Sequence, residues 1–189
     1  MDFQPALTAD GGLQMKEQKD MNLGLANYWE VVCHDSNGVE KWREENKNLV
    51  TTVGANHILG GTFKGVTAIT TWYVGLKNTG TPVIADIMSS HGSWTEIVHT
   101  TKYSETVRQT LTLGSVSGTT TSTCDNSSSK ATFSMNATST VAGAFVVSNN
   151  ATSDATAGTL YGVVDFGSSR GVISGDTLTV TVTLTAKTA

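Results

Sequence analysis

Nine residues near the C-terminal end of the chain, Thr177 to Thr185, alternate without a break between Thr and an aliphatic residue. Successive side chains of a β-strand point to opposite faces, so a strict period of two indicates a strand with one buried face. The pattern predicts a strand over Leu178–Thr185, with its aliphatic residues turned towards a core: Leu178, Val180, Val182 and Leu184.

The composition favours the same class of structure along the rest of the chain. Charged residues make up 15% of the sequence, against about 25% in average soluble domains. Thr outnumbers even the 19 Gly, and Ser and Asn are plentiful; these residues suit pleated strands and tight turns. Further strands are predicted over Thr71–Leu76, Thr106–Leu113, Ala131–Ala137, Val141–Ser148 and Thr159–Phe166. Several short strands separated by turn signals predict a mainly β chain, an antiparallel β-sandwich or jelly-roll-like domain.

A β-hairpin is predicted at the start of this domain. Tyr28–His34 is rich in aromatic and β-branched residues, and Val39–Arg43 returns as its partner. Asn37-Gly38 between them is the dipeptide that type I′ turns favour.

One or two short helices are expected as well. Leu49–Leu59 follows Asn48, a possible N-cap, and precedes Gly60-Gly61 as a stop signal. Gly54 and several Thr weaken this helix. Asp86–Ser90 could add a single helical turn before Gly92.

The front of the chain shows no sustained helical or strand period. Residues 1–27 are therefore predicted to form an extended N-terminal arm, and residues 28–189 the β-sandwich domain. Such a segment cannot bury enough apolar surface alone to offset its ordering entropy, so it is a disordered tail, folds back on its own domain or becomes ordered on a partner. These alternatives stay open, and the residues that would form the interface are its large apolar ones: Phe3, Leu7, Leu13, Met15, Met21, Leu23 and Leu25.

The charge distribution argues against nucleic acid and anionic membranes as partners. The net charge is −4, and residues 1–48 carry the excess of acidic groups. No basic stripe is present to neutralise phosphates.

Cys33 and Cys124 give neither a disulfide framework nor a zinc spacing, so two reduced thiols are expected. The start of the chain lacks the features of a secretory signal, which predicts a protein made and kept in a cytoplasm.

No established catalytic motif is present. The sequence holds no nucleophile elbow, P-loop or dinucleotide fingerprint, and Ser127-Ser128-Ser129-Lys130 lacks the companion motifs of acylating enzymes. One cluster could build a metal or acid–base site: Asp86, His91, Trp94, Glu96 and His99. Its spacing matches no established ligand motif, so a rigid loop with Trp94 in a core or interface pocket is the preferred interpretation. We expect no catalytic residue, metal or cofactor.

Several blocks of the sequence resemble a known class of protein. They include Trp72-Tyr73-Val74-Gly75-Leu76, the stretch Ala85 to Glu96, Tyr103 and Arg108. Later blocks are Ala131–Asn136, Val141–Ser148, Gly158–Tyr161 and Gly175–Leu178. Together, over about residues 28–185, they resemble small virion structural proteins of tailed bacteriophages, which implies a β-sandwich particle component.

The resemblance implies a capsid decoration or cement protein, located in the virion after assembly in the host cytoplasm. Its partners would be the major capsid protein and neighbouring copies of itself, for example as trimers, with no nucleic acid and no membrane. A tail-fibre or receptor-binding module that recognises a host surface glycan is the alternative, and a hydrolase acting on the cell envelope is the weakest third. The loops 115–129 and 149–157 lack the aromatic residues that a glycan-reading tip would use, whereas the arm suits a cement protein.

Overall fold

The computed structural model describes residues 3–7, 13–17, 23–152 and 157–188. The described chain is mainly β. Its helices are α1 (Thr52–Phe63) and the single turn α2 (His99–Lys102). Its strands are β1 (Phe3–Leu7), β2 (Leu13–Glu17), β3 (Leu23–His34), β4 (Glu40–Lys47), β5 (Leu49–Val50), β6 (Tyr73–Gly80), β7 (Trp94–Glu96), β8 (Gln109–Thr110), β9 (Thr121–Asp125), β10 (Ala131–Ser134), β11 (Ser139–Val147), β12 (Leu160–Val172) and β13 (Thr177–Thr188).

Two antiparallel sheets form the domain. The first has the strand order β10, β13, β3, β4, and β9 also pairs with β13. The second has the order β5, β12, β11, β6, β7, and β8 also pairs with β6. The predicted mainly β, sandwich-like fold is confirmed.

The main core lies between these two sheets. It joins Trp29 and Val31 of the first sheet to Val146 and Val164 of the second in one cluster of buried side chains. β13 supplies the centre of its sheet, as its alternation predicts: Leu178, Val180 and Val182 are fully buried, and Leu184 packs partly buried against them.

The second sheet is buried on its other face too. Phe145, Val147 and Val163 form a smaller cluster with Met88, which lies between β6 and β7, and with Trp94 of β7, and Val53 of α1 packs against it. Because both faces of this sheet are buried, the sequence of β11 is a continuous apolar run and does not alternate between apolar and polar residues.

The helix predictions were partly wrong. Leu49 and Val50 form β5, and α1 begins after Thr51, whose hydroxyl accepts a hydrogen bond from the Gly54 amide. The helix continues through Gly60-Gly61, so these glycines do not stop it. Asp86–Ser90 forms tight turns closed by an Ile87–Ser90 bridge, not a helical turn.

Strand boundaries also differ from the predictions. The strand predicted over Thr106–Leu113 shortens to β8, and β9 lies in a segment interpreted as a loop. The hairpin between β3 and β4 is confirmed, but its turn is not type I′. Gly38 has a φ of 79° while no non-glycine residue of the described chain has a positive φ, which fits a type I turn followed by a left-handed glycine.

The N-terminal region contains strands that were not predicted. β1 and β2 pair antiparallel as a two-stranded sheet, and β3 already begins at Leu23. The boundary predicted after residue 27 therefore falls inside a strand. Each strand of the hairpin has only five residues, too few to register as a sustained period, although Asp10-Gly11 in the intervening sequence is a turn signal.

Candidate protein-binding surface

The cluster singled out in the sequence is organised around Trp94. The Trp94 indole NH donates to Asp86 Oδ2 at 3.0 Å, and the same oxygen accepts from the Val83 amide at 2.7 Å. His91 stacks on the Trp94 ring at 3.9 Å, with its Nδ1 3.1 Å from the Trp94 carbonyl oxygen. Trp94 thus fills a core pocket between His91 and Phe145, as the rigid-loop interpretation predicted.

Glu96 belongs to a different contact. Its carboxylate accepts two hydrogen bonds from Arg108, Nε at 2.8 Å and Nη2 at 2.7 Å, and both side chains are fully buried. Arg108 Nη1 also donates to the Asn149 carbonyl at 2.8 Å, and the guanidinium lies over Phe145 at 5.2 Å. The pair ties β7 to the chain before β8. No sequence signal links Glu96 to Arg108.

These side chains do not converge on a metal-binding arrangement. His99 is half-buried in α2, apart from the contacts that hold Trp94. Within the described residues, no group of three His, Cys, Asp or Glu is placed to hold a metal ion. The geometry is that of a loop fixed to the second sheet.

The residues predicted as the interface are spread over three strands. Phe3 and Leu7 belong to β1, Leu13 and Met15 to β2, and Leu23 and Leu25 to β3. Met21 lies outside the described residues. Leu25 is half-buried and lines an apolar cleft beside α1.

This cleft is one of two adjoining apolar cavities, of about 210 and 140 Å³. Both are lined by Ile58, Tyr161 and Leu184, and the larger also by Leu25, Val116 and Cys124. Cys124 and Cys33 are free thiols. Burial raises the pKa of Cys124, and burial in the core raises the pKa of Cys33 to about 12. Both thiols are therefore protonated at neutral pH.

Several apolar side chains on α1, after it and at the larger cavity are exposed. Leu59 and Phe63 lie four residues apart on the outer face of α1, with exposed fractions of 52% and 73%. Val66 folds back against Gly60 of the helix and is also exposed. Val116 is 71% exposed at the cavity itself. We call the larger cavity, which is lined by Ile58 of α1 and Leu25 of β3, the α1 groove.

Sequence reasoning missed the exposed apolar face of α1 because the predicted helix began three residues and ended four residues too early. A helix ending at Leu59 leaves Phe63 in a loop, whereas the true helix brings Leu59 and Phe63 onto one face. Thr51 is the N-cap, because its hydroxyl accepts a hydrogen bond from the Gly54 amide. Asn ranks above Thr as an N-cap, so residue type alone did not favour Thr51 over Asn48.

A third cavity, of about 650 Å³, is polar and open. It is lined by Asn46, Asn78, Thr81, Asp165, Ser168 and Ser169, among others. Lys77 lies buried next to it, with Nζ bonded to the Gly80 carbonyl at 2.5 Å and 3.5 Å from Asp165. Burial lowers the pKa of Lys77, and the Asp165 carboxylate opposes that shift.

Comparison of the chain with protein-family profiles, with curated proteins and with solved structures found no match. Among the described residues, no helix is both long enough and apolar enough to cross a membrane.

Proposed function

We propose that this protein is a structural component of a tailed-bacteriophage virion, a capsid decoration or cement protein that stabilises the shell by protein–protein contacts. The observation that carries the proposal is the α1 groove. Single exposed apolar residues are common on protein surfaces, but an open apolar cavity whose lining includes the exposed Val116 marks a contact surface. The resemblance of residues 28–185 to small phage virion proteins gives the class of partner.

The chemistry of the buried polar groups supports a structural role. Glu96 is engaged by Arg108, and Asp86 by Trp94 and backbone. Buried polar groups that satisfy one another fix a loop in one arrangement. We therefore expect no turnover of glycans, peptides or esters, and activity that is lost in His91→Ala while the fold survives would contradict this.

The capsid interaction can be tested with the purified protein. Particles that lack it are mixed with the full-length chain or with a chain that begins at Leu23, and binding is measured by co-sedimentation. We expect the full-length protein to bind and the shortened chain to bind much more weakly, because residues 1–22 contain five of the seven apolar residues predicted to form the interface. Failure of the folded full-length protein to co-sediment would contradict the proposed function.

A receptor-binding module is the second candidate, and the polar cavity beside Lys77 is the observation that favours it. Its amides, hydroxyls and the Asp165 carboxylate are the groups that hydrogen-bond sugar hydroxyls. An array of bacterial surface glycans tests this candidate. Binding that is lost in Asp165→Ala and kept in Asp125→Ala, a matched change of a half-buried Asp that does not line this cavity, would favour it over the capsid role.

A further inference from the structure

The polar cavity of about 650 Å³ lies where three neighbouring strands depart from regular pairing. A register shift between β6 and β7 leaves Asn78 of β6 as an extra residue. A shift between β11 and β12 leaves Ala142 facing the four residues 166–169. All of these irregular positions line the cavity. β-Bulges are common next to functional sites, because they redirect side chains, so irregularities that meet in one cavity indicate a binding site.

A buried lysine joins the two walls of this cavity. Lys77, Gly143 and Asp165 lie directly opposite one another across β6, β11 and β12. Gly143 has no side chain, and a Cβ there would lie 2.9 Å from Lys77 Cε. Lys77 therefore crosses β11 over the glycine. Its Nζ donates to the Gly80 carbonyl at 2.5 Å and lies 3.5 Å from Asp165 Oδ2.

The wall formed by residues 166–169 is held at both ends. Before it, Asp165 Oδ1 accepts a hydrogen bond from the Gly167 amide at 3.0 Å. After it, the Trp42 indole NH of β4 donates to the Gly171 carbonyl at 3.1 Å. A wall that is fixed before the ligand arrives lowers the ordering cost of binding.

The groups that line the cavity indicate the class of ligand. They are hydroxyls of Thr and Ser, side-chain amides of Asn and one carboxylate, that of Asp165. Among the described residues, Asp165 is the one charged side chain in this lining, and the fully buried Lys77 ammonium opposes its charge from behind.

This lining matches an uncharged ligand with many hydroxyls, because amides, hydroxyls and a carboxylate accept from and donate to such groups. An anionic ligand would meet a carboxylate and no lining cation, which is unfavourable. A metal ion would meet a single carboxylate, fewer charged ligands than a cation site uses. The cavity volume also falls in the range of about 300–1,000 Å³ that ligand pockets have.

We propose that this cavity binds an uncharged carbohydrate, and that Lys77 is a positioning residue that holds Asp165 in place to accept hydrogen bonds from the sugar hydroxyls. This inference rests on the receptor-binding candidate for the protein's function. It deepens that candidate in two ways: it excludes acidic sugars as the preferred ligand, and it gives a role to a side chain that does not line the cavity.

The ligand class can be tested with the full-length protein and an array of oligosaccharides in matched pairs. Each pair consists of a neutral oligosaccharide and its counterpart with a uronic acid in place of one hexose. We expect a neutral member to bind and its acidic counterpart to bind at least about tenfold more weakly, because a second carboxylate would face Asp165. Equal or tighter binding of the acidic member would overturn the assignment.

The role of Lys77 can be tested by titrating the neutral oligosaccharide that binds best. Asp165→Asn and Lys77→Met should each weaken binding by about tenfold or more, as loss of a charge-assisted hydrogen bond does. If Lys77 acts through Asp165, the double variant should bind no more weakly than the weaker single variant. Additive losses, or unchanged binding by Lys77→Met, would overturn the positioning role.

A second lysine provides the matched control. Lys41 pairs with the buried Asp176 outside the cavity, so Lys41→Met removes a comparable ion pair and should leave sugar binding unchanged. Circular dichroism shows whether each variant is folded. Lys77→Gln, an uncharged polar replacement, repeats the test if Lys77→Met does not fold.

The outcomes separate this inference from the proposed functions. If no oligosaccharide binds, this inference and the receptor-binding candidate are both wrong. If neutral and acidic members bind alike, or Lys77→Met binds as the wild type does, the receptor-binding candidate stands and this inference is wrong. Co-sedimentation with capsids is measured separately, so its failure contradicts the capsid role alone.

Discussion

At the scale of single residues, Glu96 and Arg108 form an ion pair whose two side chains are both fully buried. Two fully buried opposite charges with bidentate geometry are tolerated because each satisfies the other. We expect Arg108→Met alone to lower the free energy of unfolding by about 3–5 kcal/mol, because it leaves the Glu96 carboxylate buried without that partner. Urea unfolding measures this loss.

The matched double variant Glu96→Met/Arg108→Met provides the control. It removes both charges together, so a large part of the stability should return, and the double-mutant cycle gives the coupling between the two residues. A loss below about 1 kcal/mol for Arg108→Met would mean that the pair behaves as an exposed one.

Tyr103 presents the opposite case, a buried hydroxyl without a hydrogen-bond partner among the described residues. Its ring packs edge-on against Phe133, a contact that Phe would keep. Tyr103→Phe should therefore leave the protein as stable as wild type or more stable by about 1–3 kcal/mol at neutral pH, because an unsatisfied polar group is removed.

The same substitution has a pH dependence with a defined sign. Burial, and secondly the negative charge of Glu96, raises the pKa of Tyr103 above its ordinary value of 10.0. In the unfolded chain the phenol ionises near pH 10 while the folded state keeps its proton, so wild-type stability falls as pH rises from about 10 upward. The stability advantage of Tyr103→Phe should widen over that range, measured by thermal unfolding; a constant difference would contradict the raised pKa.

At the scale of elements, the local sequence pattern predicted the strands that have one buried face. It missed the elements that form only because of contacts with distant parts of the chain. β13 shows its alternation in the sequence, and three of its aliphatic residues are fully buried. β9 has five residues of mixed polarity and is a strand because it extends the first sheet along β13. Pairing with a distant strand leaves no local signature, and the same holds for Glu96 and Arg108.

Gly54 in α1 has a packing role that its low helix propensity does not reveal. The sequence suggests that Gly54 only weakens the helix, but a Cβ there would lie 2.5 Å from the Tyr161 carbonyl oxygen of β12. Gly54 thus allows α1 to approach the second sheet closely. At Gly61 the nearest atom to an added Cβ is 3.7 Å away, an ordinary contact.

The two glycines therefore predict opposite effects of the same substitution. Gly61→Ala should raise the free energy of unfolding by about 0.5–1 kcal/mol, because Ala is the better helix former. Gly54→Ala should lower it by about 1–3 kcal/mol, because the helix must move away from β12. Chemical denaturation of both variants makes the comparison, and stabilisation by Gly54→Ala would mean that α1 does not pack on β12 as described.

At the scale of the whole molecule, the first residues of β3 connect the two sheets. Leu23–Asn27 pair with the last five residues of β13. Asn27 is buried: its side-chain oxygen accepts from the Tyr161 hydroxyl of the second sheet at 3.1 Å, and its carbonyl accepts from the Asn48 amide at 3.2 Å. β3 therefore begins within the segment that was predicted to be the arm, and we propose that the folded domain begins at Leu23.

Two truncations distinguish these boundaries. Removal of residues 1–22 takes away the hairpin and leaves the pairing of β3 with β13 complete, so the free energy of unfolding should change by no more than about 0.5 kcal/mol. Removal of residues 1–27 deletes the first five pairs of this ladder and leaves the buried Tyr161 hydroxyl without Asn27. A buried polar group without its partner costs about 1–3 kcal/mol, so this chain should be less stable by at least about 2 kcal/mol. Urea unfolding of both chains, monitored by circular dichroism, gives the comparison. Equal stability would place the domain boundary after residue 27, and Leu25 and Asn27 would then belong to the arm and not to the sandwich.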